Sequence, residues 1–200
     1  MMDNRYCIGL ILAGGRGLRM GGADKALLEV RGRRLMAHTL ARLAPQVDQV
    51  MVAAGAEPER AVARFGGQFP GMIALGDGEF AGLGPLAGIL AGLRWAEQAG
   101  VAQILSVPVD TIFMPLDLRA RLGAAPTVVE HGGRLHHLVA LWPSAAAEPL
   151  AAFLAAPGAH RVRDFAASIG MRTVRFDHPG DPFMNINTPE DLAAAERVGE

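Results

Sequence analysis

The chain has 200 residues, half of them hydrophobic and a fifth charged, which is enough for one globular domain with a real core and short for two. Its formal net charge of −1 excludes a globally basic surface for nucleic acid or membrane, so any anion must be met by a local cluster of cations. The single Cys7 excludes an internal disulfide framework and a cysteine-built zinc site.

In chain order, the first apolar run is 7–13. It has strand length and is too short to span a bilayer, and Cys7 within it is expected as a buried, inert thiol. The N-terminus lacks the basic region and cleavage pattern of a signal peptide, so a cytoplasmic protein is expected. Further strands are predicted at 49–54, 72–75, 103–109, 127–130, 138–142 and 173–176. Several are continuously apolar, as strands buried on both faces are. Helical patterns lie between them at 34–43, 86–98, 145–156 and 189–198. The last opens on "NTPEDL", with Thr188 as N-cap, Pro189 in the first turn and acids on the positive helix end. This alternation predicts an α/β domain with a mostly parallel sheet flanked by helices. Gly132 and Gly133 predict a hairpin that adds an antiparallel element beside it.

The stretch "LILAGGRGLRMGGADKAL", 10–27, holds five glycines with Arg16, Arg19 and Lys25 set among them. It follows a strand, and ligands of open α/β sheets bind beyond the carboxyl ends of strands. Glycine lets backbone N–H groups approach a phosphate, and the three cations can neutralise a polyphosphate. Two familiar loops fail here. Lys25 follows Asp24 and precedes Ala26, unlike the Walker pattern, and a G-x-G-x-x-G run from Gly15 and Gly17 meets Met20.

"LAGGRGLRMGGADKALL" resembles the signature of the molybdenum cofactor guanylyltransferases, nucleotidyltransferases of Rossmann-like fold. The resemblance continues in order through "GPLAGI" (84–89), "PVD" (108–110), "HRVRDF" (160–165) and "FMNINTPEDL" (183–192). It implies transfer of GMP from GTP to molybdenum-carrying molybdopterin, with release of pyrophosphate and a requirement for Mg²⁺. It also implies that Leu12, Ala13, Gly14, Gly15, Lys25, Asp77, Gly84, Gly88 and Asp110 hold GTP, that Arg19, Lys25 and Asp110 act in catalysis, and that Asn185 and Asn187 face molybdopterin. The expected division is a nucleotide half at 1–110 and a molybdopterin half at 111–200. Molybdopterin-delivery proteins and molybdoenzyme chaperones are the expected protein partners; nucleic acid and membranes are not.

Asp110 ends a strand near the loop, where a carboxylate suits Mg²⁺, which takes one or two carboxylates plus phosphate oxygens; a cap for a helix near 115 is the plainer reading. Asp77 ends another strand and could accept the N1–H and N2–H₂ of guanine, with ribose, metal or a simple turn left open. Gly84 and Gly88 flank Pro85 where a flat base could lie on backbone, or they could merely start a helix. Asn185 and Asn187, with Ile186 turned inward between them, offer amides to a pterin edge in a pocket distinct from the loop. The plainer reading is that Asn187 shapes the turn and Asn185 binds backbone. His136 could line the pterin pocket, but it and His137 form no metal cluster. The sequence departs from the family at His137, where His-Pro is usual, and at Ala53 and Ala54, where an asparagine commonly meets the nucleotide. A cytidylyltransferase of the same fold, or a non-catalytic carrier, are the rival functions.

Overall fold

The chain, a computed structural model describing residues 3–14, 16–17, 23–65 and 71–198, runs through β1 (Asp3–Leu12), β2 (Arg16–Gly17), β3 (Ala23–Asp24), a 3₁₀ turn (Lys25–Leu27), β4 (Glu29–Val30) and β5 (Arg33–Arg34). Next come α1 (Leu35–Leu43), β6 (Gln49–Ala53), α2 (Pro58–Phe65), β7 (Ile73–Leu75), α3 (Pro85–Gln98) and β8 (Val101–Pro108). The second half holds α4 (Leu118–Leu122), β9 (Thr127–His131), β10 (Arg134–Pro143), α5 (Ala147–Ala155), α6 (Val162–Ser168), β11 (Arg172–Arg175) and α7 (Pro189–Arg197).

One seven-stranded sheet has the order β11-β9-β10-β8-β1-β6-β7. Every neighbouring pair is parallel except those of β10, which is antiparallel to both β8 and β9. The predicted hairpin is present: Gly132 and Gly133 take φ of +57° and +77°, the left-handed pair a tight hairpin turn requires. It is built into the sheet, so that only β10 is reversed while β9 pairs in parallel with β11. Two short antiparallel ladders, β2–β3 and β4–β5, stand apart.

The apolar runs are continuous because both faces are covered. Successive residues of β1 face opposite ways. Cys7 and Ile11 pack with Met36 and Leu43 of α1 and with Leu118 and Leu122 of α4. Ile8 and Leu10 pack with Leu86, Ile89 and Leu93 of α3 and with Leu150 and Leu154 of α5. A smaller cluster of Val30, Leu35, Ile112, Ile186 and Ala195 ties the β4–β5 ladder to α7. Burial pushes the Cys7 thiol above its ordinary pKa, so it stays protonated and inert, as expected. Within the core, Trp142 Nε1 donates to Ser106 Oγ at 2.8 Å, and that hydroxyl donates to Leu138 O at 2.8 Å. Leu138 lies in an irregular stretch of β10, where the register jumps from His136↔Val129 to Ala140↔Val128, a local break in the ladder.

Candidate active site

The strand order reverses at β1, which leads outward to β6 and β7 on one side and is met by β8 on the other. Ligand sites of such sheets lie at this switch, beyond the carboxyl ends of the strands. Here the chain leaving β1 curls over β6: the N–H groups of Ala13 and Gly14 donate to Ala53 O at 2.9 and 3.0 Å. The end of β8 is tied to the same place, Val109 N donating to Leu12 O at 3.1 Å and Thr39 Oγ1 to Val109 O at 2.8 Å.

On the β6 side is a small cleft lined by Leu12, Gly14, Ala53, Asp77, Gly84, Pro85 and Gly88. Its floor is backbone and methyl groups. A Cβ on Gly14 would lie 2.7 Å from Gly55 N, and one on Gly88 would lie 2.8 Å from the Ala53 Cβ. Both positions therefore need glycine for close approach. Pro85 opens α3 and Gly84 before it takes φ +84°. The Asp77 carboxylate stands over this floor, its Oδ1 3.6 Å from where a Gly88 Cβ would be. Partial burial raises its pKa above the ordinary 3.8; a carboxylate so desolvated gains by accepting N–H donors from a ligand. Asp77 precedes the 3₁₀ turn Gly78–Phe80 but makes no side-chain cap bond there, so a turn role does not account for it.

On the β8 side, Lys25 Nζ donates to Asp110 Oδ2 at 2.7 Å, with the aspartate side chain 8% exposed. The same ammonium donates to Asn187 Oδ1. The capping reading of Asp110 fails, since its side chain turns to Lys25 and α4 begins only at Leu118. The 183–188 segment is held by α7: Asp191 Oδ2 accepts from the N–H groups of Asn187 and Thr188, both at 2.9 Å, and Asp191 N donates to Thr188 Oγ1 at 3.1 Å. Thr188 is the N-cap the sequence predicts, completed to a capping box. Ile186 is fully buried, as expected. Asn185 binds a side chain and not backbone: its Oδ1 accepts from Thr111 Oγ1 at 3.0 Å.

The expected separate pocket for the asparagines is corrected by this geometry. Asn187 sits on Lys25, so the segment closes the same centre as the cation. Sequence reading also passed over Thr111 and Asp191; the signals were present, a Thr directly after the strand-end aspartate and an acid three residues after the N-cap. His136 is buried against Phe183, ring centroids 5.2 Å apart, and desolvation lowers its pKa, which keeps it neutral. Among the described residues no group of His, Cys, Asp and Glu could hold a metal alone. Arg19 and Gly15 lie outside the described residues, as does the side chain of Arg16.

Residues 9–172 match the MobA-like NTP transferase domain. The chain is 55% identical over 187 residues to a molybdenum cofactor guanylyltransferase of Acidiphilium cryptum, covering 94% of this chain and 92% of that one. It is 48% identical over 194 residues to a molybdenum cofactor guanylyltransferase of Cereibacter sphaeroides, covering 95% of each. Among solved structures it resembles molybdopterin-guanine dinucleotide biosynthesis protein A from Archaeoglobus fulgidus, with TM-score 0.74 and 22% identity over 94% of this chain and 96% of that one. A 4-diphosphocytidyl-2C-methyl-D-erythritol synthase shares the fold at TM-score 0.67 and 18% identity, over 96% and 97% of the two chains. With the glycine-floored cleft and the Lys25–Asp110 pair inside the matched span, the chain belongs to the MobA-like NTP transferases and is a nucleotidyltransferase.

Proposed function

We propose that this chain transfers GMP from GTP to molybdenum-molybdopterin, giving the guanine dinucleotide form of the cofactor and pyrophosphate. The observation that carries the reading is the juxtaposition of a small glycine-floored cleft bearing Asp77 with the Lys25–Asp110–Asn187 cluster across the end of β1. The curated relatives of that name, alike over nearly their whole length, support it.

In this reading guanine lies on Gly14, Ala53 and Gly88, and its N1–H and N2–H₂ donate to the Asp77 carboxylate. The loop amides after β1 and the Lys25 ammonium, with Arg19, meet the phosphates. Asp110 supplies a hard oxygen ligand fit for Mg²⁺, which takes its other ligands from phosphate and water; a lone carboxylate suits a metal that arrives with the nucleotide. Bound there, Mg²⁺ would neutralise phosphate charge as the α-phosphorus is attacked in line. The attacking group is itself a phosphate, ionised near neutral pH, so no general base is needed. The protein contributes positioning and charge stabilisation. Residues 1–110 then serve the nucleotide and 111–200 chiefly molybdopterin, with Lys25 reaching across. No described helix is long and apolar enough to cross a membrane; cytoplasmic work, with delivery proteins and molybdoenzyme chaperones as partners, completes the proposal.

The test is a thermal-shift panel of GTP, CTP, ATP and UTP with Mg²⁺, followed by pyrophosphate release with molybdenum-molybdopterin. A ligand that binds only the folded chain raises its melting temperature, and GTP should raise it most. A larger shift with CTP would assign the chain to cytidylyl transfer. Binding without pyrophosphate release would make it a carrier.

A further inference from the structure

The two asparagines before α7 are polarised the same way. Asn185 turns its carbonyl oxygen to Thr111 Oγ1 at 3.0 Å, and Asn187 turns its own to the Lys25 ammonium. An amide has one acceptor oxygen and one NH₂ donor. With both oxygens taken by the protein and no partner for either NH₂ among the described residues, each half-buried side chain has its NH₂ to offer. Ile186 between them is fully buried, which fixes the segment, and both amides reach the Asp110 turn, one through Thr111 beside that residue and the other through Lys25 bonded to it.

Thr111 is the group that sets the first of these polarities. It is wholly buried, and its N–H donates to Pro108 O at 3.2 Å, holding it in the turn that also carries Asp110. A buried hydroxyl proton must find an acceptor, and the Asn185 oxygen is the one it has. Rotating the amide would take that acceptor away.

We propose that Thr111 is a positioning residue for the second substrate: by holding the Asn185 oxygen it presents that residue's NH₂, which with the Asn187 NH₂ forms a two-donor grip on a phosphate monoester. The occupant follows from the chemistry. A pterin edge carries N–H donors as well as acceptors and would call for a free carbonyl. Phosphate oxygens at neutral pH only accept. The grip lies beside Asp110 and Lys25, where the attacking phosphate must stand. This inference rests on the guanylyl-transfer reading above.

The experiment compares wild type, Thr111→Val, Thr111→Ser and Asn185→Asp. It measures steady-state KM and kcat with GTP–Mg²⁺ and molybdenum-molybdopterin, the Kd of GTP–Mg²⁺ alone, and the melting temperature. Thr111→Val keeps the shape and removes the donor. It should raise the KM for molybdopterin about tenfold, the effect of losing one well-placed hydrogen bond, while the Kd of GTP–Mg²⁺ stays within about twofold. Thr111→Ser should restore the wild-type KM, and Asn185→Asp, which swaps the donor for an acceptor, should raise it at least as far as Val does. An unchanged molybdopterin KM in Thr111→Val, with wild type active, overturns the inference. So does a parallel loss of GTP affinity and melting temperature that Ser fails to restore, since that marks a purely structural hydroxyl. Wild type that releases no pyrophosphate with these substrates defeats the guanylyl-transfer reading instead.

Discussion

Asp110 and Asp77 both follow the ends of strands, yet their surroundings differ. Asp110 is paired with a cation, so Asp110→Asn should keep the fold and lose turnover by on the order of 10²-fold, the scale for deleting a transition-state charge partner. Circular dichroism and pyrophosphate release measure the two halves of that expectation. Among the described residues no cation pairs with Asp77, and burial raises its pKa. The sign follows: a raised folded pKa means that the ionised form is disfavoured in the fold, so this group's contribution to stability falls as pH rises from 3.8 through the raised value. Asp77→Asn should therefore melt no lower than wild type at pH 7 without nucleotide. With nucleotide the order reverses, because only the carboxylate accepts two guanine N–H groups. GTP affinity of the wild type should decline on the acid side at a pH above the ordinary aspartate range, and the Asn variant should bind weakly with a flat profile. Isothermal titration between pH 4 and pH 8 decides it; a wild-type affinity that is also flat would place Asp77 away from the base.

Two elements set the geometry of the cleft and of the Lys25 cluster beside it. Helix α3 approaches the sheet through Gly88 and Gly92, but the two contacts differ. A Cβ at 88 meets the Ala53 Cβ at 2.8 Å, whereas one at 92 meets the Leu10 Cδ2 at 2.8 Å, the movable end of a side chain. Alanine in a helix gains about 1 kcal/mol over glycine, and overpacking costs about 1–3 kcal/mol. The cost wins at 88 and nearly cancels at 92, so Gly88→Ala should lower stability and GTP affinity together while Gly92→Ala changes both little, as urea titration and GTP binding would show. Helix α7 depends on its first turn: Thr188→Ala should cost about 1 kcal/mol of stability and loosen Asn187, whose N–H shares the Asp191 carboxylate. Strands such as β1 and β8 were legible because burial on both faces writes an unbroken apolar run. Helices α2 and α6 were not. The buried residues of α6 are Phe165 and Ala166 alone, too few to write a helical period, and among the described side chains of α2 the buried hydrophobe is Ala61. The polar start of β10 was likewise missed, since Arg134 and Leu135 are exposed near the hairpin turn.

At the scale of the molecule, Lys25 and Asp110 stood out in the sequence as candidate phosphate-side and metal-side groups, because cation, glycine and strand-end acid are set by local spacing. What could not be read was their meeting with a segment more than 150 residues on. That meeting depends on α7 docking against β4 and on Ile186 entering the core with Val30 and Leu35, a tertiary event without a local pattern. One ammonium serves Asp110 and Asn187 together, so the proposed function carries an expectation of heterotropic linkage: whatever factor GTP–Mg²⁺ imposes on molybdopterin affinity, molybdopterin should return to GTP–Mg²⁺. Lys25→Met should bring that factor towards one in paired titrations, turning a coordinated pair of equilibria into two separate ones.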